Sequence, residues 1–228
     1  MKVNTDGVLL GAIAEIDGSE KSVLDVGTGT GTIALMLAQR LSDKGSQEYM
    51  VTGIDIDAPS AEEAAANFKA SPWDRQLCAI QIPLQQYAPC GEIDLIVSNP
   101  PYFDNSLQAT GERRNAARHT EVDAGDGNSL SYRDLILFAQ EHLSATGRLA
   151  VILPSDQEKT LLRFARSYSL HPVSITRIRT TPRKQPSRII VQFARGHREC
   201  IEDLVTIQDG GNYTGQYLSV THDFYLFS

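Results

Sequence analysis

Cysteine is scarce in this sequence. The three copies, Cys78, Cys90 and Cys200, lie far apart and form no C-x-x-C. That excludes a disulfide framework, and the thiols are expected to be buried or half-buried in a reducing cytosol. Histidine is also sparse: its five copies never fall at ligand spacing, so no metal site is expected. No apolar run approaches the roughly 18 residues of a membrane-spanning helix. The opening MKVNTDGVLLGAIAEIDGSEKS is too acidic and too interrupted to read as a secretion signal. With 41% hydrophobic and 21% charged residues in 228, the composition is that of an ordinary globular chain, and the length suits one large domain or a domain with a small appendage.

Acidic residues are absent from one long stretch. The net charge is -7, which by itself disfavours nucleic acid. Between Lys159 and Arg198, however, stand ten lysines and arginines and no aspartate or glutamate. Arg163, Arg179, Arg183, Lys184 and Arg188 are among them. An acidic body with one basic stretch can present a positive surface to phosphates. Equally, the stretch can be a solvated face whose counter-charges come from elsewhere in the fold.

Apolar runs alternate with helical patterns along the chain. Residues 22–26, 50–56, 77–82, 93–98, 148–154, 174–180 and 188–195 read as strands, about seven in all. Residues 32–41, 60–70, 129–143 and 155–168 read as helices, with Ser60 as one cap and Ser155 with Glu158 as a capping box. This alternation predicts an α/β fold, an open doubly wound and mostly parallel sheet flanked by helices. The last two strands lack a helix between them and predict an antiparallel hairpin at one edge. Residues 103–128 carry turn formers and charges and read as a long loop, of a length that is usually functional or disordered.

VLDVGTGTGTIAL places Gly27, Gly29 and Gly31 between a strand and a helix. Glycines there let the backbone turn tightly and approach a ligand. Asp55 follows 24 residues after Gly31, at the end of the next strand. A carboxylate at that place can accept both hydroxyls of a ribose, and Asp57 is the alternative two residues on. Dinucleotide enzymes usually carry G-x-G-x-x-G instead. The pattern here, D-x-G-x-G-x-G from Asp25, resembles the first motif of S-adenosylmethionine-dependent methyltransferases.

A second motif, SNPPYF over residues 98–103, ends the fourth strand. Asn99 precedes a proline and is pushed to an extended conformation. Pro100 and Pro101 remove two backbone donors and leave carbonyl oxygens unopposed. The Asn99 side-chain oxygen and the Pro100 carbonyl can then accept both hydrogens of an amino group. Tyr102 offers a flat face for a planar group. Two such acceptors favour the pyramidal, reactive amine and stabilise the charge that develops as it is alkylated.

Together the two motifs resemble the N-P-P-Y amino-methyltransferases. KVNTDGVLLGAIA, ERRNAARHT and the tail GNYTGQYLSVTHDFYLFS narrow the resemblance to the bacterial tRNA1(Val) (adenine(37)-N6)-methyltransferase family, over essentially the whole chain. The resemblance implies a Rossmann-like methyltransferase fold in a single domain, with an N-terminal cofactor-lid helix within 1–20 and a C-terminal extension over 196–228. It implies S-adenosylmethionine as cofactor, held by Thr5, Asp6, Asp25, Gly27, Thr28, Gly29, Gly31, Asp55, Ile56, Leu84 and Asn99. Asn99, Pro100, Pro101 and Tyr102 become the catalytic set. The implied partner is tRNA, met by Arg113, Arg114, Arg118, His119, Arg179, Arg183, Lys184 and Arg188. A cytoplasmic monomer, without metal or membrane, is expected.

Alternatives stay open at this point. Asp6 could merely cap the helix GVLLGAIAEI, and the run Arg113–His119 could be only a solvated charge run. A release-factor glutamine methyltransferase would share N-P-P-Y, but the sequence before Asp25 has no room for its helical substrate domain. A non-catalytic RNA-binding protein would share the fold. The sequence also departs from the family. Pro83 stands where an aspartate commonly meets the cofactor's adenine, so backbone groups near Leu84 would have to substitute. Asn4 stands where the family carries glycine, and nothing in the sequence explains it.

Overall fold

The computed structural model describes residues 4–100 and 130–225. Eight strands form one sheet: β1 (Ser22–Val26), β2 (Met50–Asp55), β3 (Leu77–Gln81), β4 (Ile93–Ser98), β5 (Leu143–Pro154), β6 (Leu170–Arg179), β7 (Arg188–Arg195) and β8 (Ile201–Thr206). Their order is β3-β2-β1-β4-β5-β7-β6-β8. All neighbours pair in parallel except at β7, which runs against both β5 and β6. The inner strands carry buried apolar residues on both faces, as Leu95, Ile96 and Val97 of β4 and Leu149, Ala150, Val151, Ile152 and Leu153 of β5 do, which layers covered on both faces require.

Helices α1 (Thr5–Ile13), α2 (Thr32–Asp43), α3 (Ala58–Ala70) and, near the C-terminus, α6 (Gly215–Thr221) pack one face. Helices α4 (Tyr132–His142) and α5 (Glu158–Ser167) pack the other. Strand order reverses between β1 and β4. The carboxyl ends of those two strands therefore open the crevice where doubly wound sheets hold ligands. No helix among the described residues is long and apolar enough to cross a membrane.

The sheet differs from expectation at its far edge. The β6–β7 hairpin is antiparallel as anticipated, but it is not the edge, because β8 pairs outside β6. β8 was hidden in the sequence because Ile201, Glu202, Asp203 and Leu204 are all exposed, so it lacks a buried stripe. Its outward backbone groups are partly covered. The Gln216 side chain donates to Leu204 O (2.6 Å) and accepts from Thr206 N (3.2 Å), which blunts the edge against further pairing. β9 (Gln208–Asp209) and β10 (Asn212–Tyr213) form a small separate hairpin.

Three local expectations are corrected. Ser60 does not cap α3. Asp57 does, its carboxylate accepting from Ser60 N (3.0 Å) and Ser60 Oγ (2.7 Å). Ser155 and Glu158 form no capping box: a 3-10 turn over Ser155–Gln157 precedes α5, and Ser155 Oγ donates instead to Pro186 O (2.7 Å). Cys78 and Cys90 are exposed and only Cys200 is half-buried. Cys78 lies on the edge strand β3, whose helix-covered face takes Leu77 and Ala79 and leaves Cys78 on the other.

At the amino ends of the central strands, Asp94 ties three elements together. One carboxylate oxygen accepts from Lys21 N (2.9 Å) and Ser22 N (3.1 Å), and the other from Ser144 Oγ (2.9 Å). Asp94→Ala should lower the unfolding free energy by about 1.5–3 kcal/mol, the range for hydrogen bonds to a charged group. Urea denaturation at unchanged m-value checks it.

Candidate active site

The glycine loop is shaped by two carboxylates. Gly27, Gly29 and Gly31 all have positive φ, at 73°, 56° and 79°. Gly31 also lacks room for a side chain, since a Cβ would clash with the Phe68 ring. As the residue before α2 it supplies no capping side chain. Asp25 takes that role from the strand below: its Oδ2 accepts Thr28 Oγ1–H (2.7 Å) and Ala34 N–H (3.2 Å). Asp55 holds the outer side of the loop, one oxygen accepting Gly29 N–H and the other Asp57 N–H, each at 2.9 Å.

Asp25 has no exposed surface, so it acts on the loop's conformation. Burial pushes its carboxyl up to about 7, against the opposing hydrogen bonds from Thr28 and Ala34. The positive end of α2 also favours the charged form, but desolvation outweighs it. Asp25 Oδ1 has no hydrogen-bond partner among the described residues. Asp55, in contrast, is half-buried and keeps a lone pair on each oxygen for a ligand. Beside it Ile56 is 37% exposed, an apolar surface at the mouth of the crevice. Leu130 approaches from above, its Cδ2 lying 3.9 Å from where a Cβ on Gly27 would stand.

The second motif begins directly beside this loop. Val26↔Ser98 is the last register pair of β1 and β4, and Ser98 Oγ donates to Val26 O (2.8 Å). Asn99 is half-buried and Pro100 buried. The first turn of α1 lies against them: a Cβ on Gly7 would be 3.9 Å from Asn99 Nδ2. Thr5 is exposed and Asp6 half-buried in that same turn. The cap of α1 is neither of them but Asn4, whose Oδ1 accepts Gly7 N–H at 2.6 Å. That gives Asn4 a reason the sequence alone did not.

The expected site residues thus divide. Asp25, Gly27, Thr28, Gly29, Gly31, Asp55 and Asn99 converge, with Thr5 and Asp6 alongside. Leu84 is buried at the start of a 3-10 turn, its carbonyl accepting Tyr87 N–H (3.1 Å). Pro101, Tyr102, Arg113, Arg114, Arg118 and His119 lie outside the described residues. Asp57 is occupied as a helix cap. Thr28, Ser98 and Asn67, whose Nδ2 donates to Thr30 O (2.9 Å), brace the loop. Thr28 stands between two of the glycines, but Ser98 and Asn67 are far from them in sequence and carried no local signal of this role.

Of the basic stretch, Arg177 bridges Glu158 (2.7 Å) and Glu202 (2.6 Å). Arg195 donates to the carbonyls of Gln140 and Leu143. Arg179 donates to Thr206 Oγ1 (2.8 Å) and Pro182 O (3.1 Å). Arg188 Nε meets Asp6 Oδ2 at 3.0 Å. Arg183 and Lys184 are exposed on the turn joining β6 to β7. Because β6 runs parallel to β1 and β4, that turn is at the same end of the molecule as Asn99.

This sheet order, a glycine loop braced by two acids and an Asn-Pro step beside it define a methyltransferase. The methyltransferase small domain model matches residues 5–119. Among solved structures, the chain resembles a predicted O-methyltransferase of Agrobacterium tumefaciens (TM-score 0.69, 18% identity, 96% of each chain). It also resembles the CcbJ methyltransferase of Streptomyces caelestis (TM-score 0.58, 13% identity, 86% of this chain and 97% of that one). At such identities the likeness concerns the fold. Relatives from Flavobacterium psychrophilum and Phocaeicola vulgatus, both tRNA1(Val) (adenine(37)-N6)-methyltransferases, are 37% and 39% identical. Each alignment covers 99% of this chain, and 93% and 91% of the relatives. The chain belongs to that family.

The raised Asp25 carboxyl has a consequence for stability. The native state holds a proton that the unfolded chain releases above its ordinary value of 3.8. Stability from this group is therefore full below about pH 4, falls as pH rises and levels off above about 7. Asp25→Asn keeps both acceptor contacts and should flatten that slope, as read by chemical denaturation across this pH range.

Proposed function

We propose that this enzyme methylates the N6 amine of an adenine in tRNA, adenine 37 of tRNA(valine), using S-adenosylmethionine. The observation that carries the reading is the placement of Asn99 and Pro100 beside the glycine loop, with Asp55 presenting a half-buried carboxylate on the other side. Relatives of nearly full length carry that activity in their names. The residues fit the cofactor: Asp55 has acceptor capacity for ribose hydroxyls and Ile56 an apolar surface for the adenine. Gly27, Thr28, Gly29 and Gly31 offer close backbone approach, Asp25 fixes the loop and Thr5 and Asp6 flank it. The backbone near Leu84 takes the place of the aspartate replaced by Pro83. S-adenosylmethionine, when bound, supplies a methyl group on a positively charged sulfur.

The chain's own residues do the rest. Asn99 Oδ1 and the Pro100 carbonyl accept the two amine hydrogens, which turns the nitrogen lone pair out of conjugation and toward the methyl. Pro101 fixes the carbonyl geometry, and Tyr102 stacks on the base. Holding the reactants in line supplies much of the rate. The nitrogen, positively charged once methylated, sheds its proton readily, so no strong base is required. Adenine 37 sits in a loop, so turning it into the crevice costs less than opening a duplex. Arg113, Arg114, Arg118, His119, Arg183 and Lys184 steer and hold the phosphates, whereas Arg179, expected among them, is spent on Thr206 and the Pro182 carbonyl. The protein works as a cytoplasmic monomer.

A transfer assay with labelled S-adenosylmethionine tests this reading. Unmodified tRNA(valine), bulk tRNA and a release factor serve as acceptors, and labelled RNA is digested to nucleosides. The expected product is N6-methyladenosine in the valine tRNA. Label in the release factor would overturn the substrate. Asn99→Ala should abolish transfer and leave cofactor affinity nearly intact. An equal collapse of cofactor affinity would place Asn99 in the cofactor pocket instead of on the amine.

A further inference from the structure

We propose that Arg188 is a positioning residue of this reaction, clasping the first turn of α1 over Asn99 through its ion pair with Asp6. This rests on the reading of Asn99 as the amine-holding residue. α1 approaches that residue through Gly7, where an added Cβ would stand 3.9 Å from Asn99 Nδ2. Its carboxyl end is pinned: Arg40 donates to Gly11 O and Ala14 O, each at 2.7 Å, and Gln192 Oε1 accepts Glu15 N–H at 2.8 Å. Its amino end is tied to the sheet by Asp6.

The geometry of β7 explains why Arg188 can reach. Arg188 opens that strand and pairs across from Pro154 of β5. Ser98 pairs with Val151, three residues earlier on β5, so Arg188 stands past the carboxyl end of β4, the end from which Asn99 follows. Alternate residues of β7 face α1. Ile190 lies in one core cluster with Leu9 and Leu10, and Gln192 accepts from the Glu15 N–H just past the helix. Arg188 shares that parity. It therefore points over the crevice mouth to Asp6, with side-chain exposures of 33% and 24% for the pair. Half-shielded, the pair is screened less than a surface pair. Arg188 was expected among the tRNA contacts, but this geometry assigns its Nε to closing the cofactor crevice.

The test is a double-mutant cycle with Asp6→Asn, Arg188→Gln and the charge exchange Asp6→Arg with Arg188→Asp. Calorimetry with S-adenosylhomocysteine reads cofactor affinity, and thermal melting confirms that each variant is folded. Each single variant should weaken affinity by about fivefold, as for a half-shielded ion pair. The double variant should be no worse than either, and the charge exchange should recover most of the loss. Arg188→Gln should leave the salt dependence of tRNA binding unchanged, whereas Arg183→Gln with Lys184→Gln should reduce its slope by about one per lost phosphate contact. Single variants that bind within twofold of a binding wild type, losses that multiply, or a salt slope reduced by Arg188→Gln would each overturn the clasp alone. A wild type with no affinity for S-adenosylhomocysteine would overturn the cofactor reading itself, and the clasp with it.

Discussion

A single carboxyl group in the middle of the sheet sets the geometry on which the rest depends. Asp25 reaches up from β1 to Thr28 and to the third residue of α2, and so fixes where a strand stops and a helix starts. Gly31 leaves α2 without a side-chain cap of its own, so this bond substitutes for one. The loop between is then held open on its outer side by Asp55. The fit continues below the loop, where a Cβ on Gly53 would stand 2.7 Å from Thr28 Oγ1. Loop, strand and helix are one packed unit, and a ligand is met by backbone whose shape does not need to be found on binding.

The basic stretch shows how a charge run separates into roles. Its strand residues face neighbours and are consumed there: Arg177 by two glutamates, Arg195 by helix-end carbonyls, Arg179 by a threonine and a turn carbonyl. Its turn residues, Arg183 and Lys184, project at the site end of the sheet. An acidic protein can in this way offer phosphates a small positive surface without carrying net positive charge. Arg188 lies at the junction, last before the strand becomes internal, and its partner Asp6 sits in the first turn of α1, beside Asn99.

Much of this was legible in the sequence where one local pattern implies one geometry. Asp25 with its three glycines, strand before and helix after, could be read because turning and close approach demand glycine there. Asn99 ahead of two prolines could be read because the donors they remove are a local fact. What escaped depends on partners distant in sequence. Nothing near Asp6 names Arg188, 182 residues away. Ser60 looked like a cap because it stands near a helix start, yet the helix begins earlier, at Ala58, and Asp57 caps it by accepting from the Ser60 backbone N–H. β8 escaped because an edge strand buries few of its side chains, and periodicity reports burial, not hydrogen bonding.

On the proposed reading the crevice between β1 and β4 receives S-adenosylmethionine with Asp55 on its ribose, next to Asn99. A crystal structure with S-adenosylhomocysteine tests it most directly. The predicted result is both ribose hydroxyls on the Asp55 carboxylate and the sulfur facing Asn99 across the crevice. A nucleoside seated elsewhere, or with its ribose on Asp57 and its sulfur turned from Asn99, would contradict it.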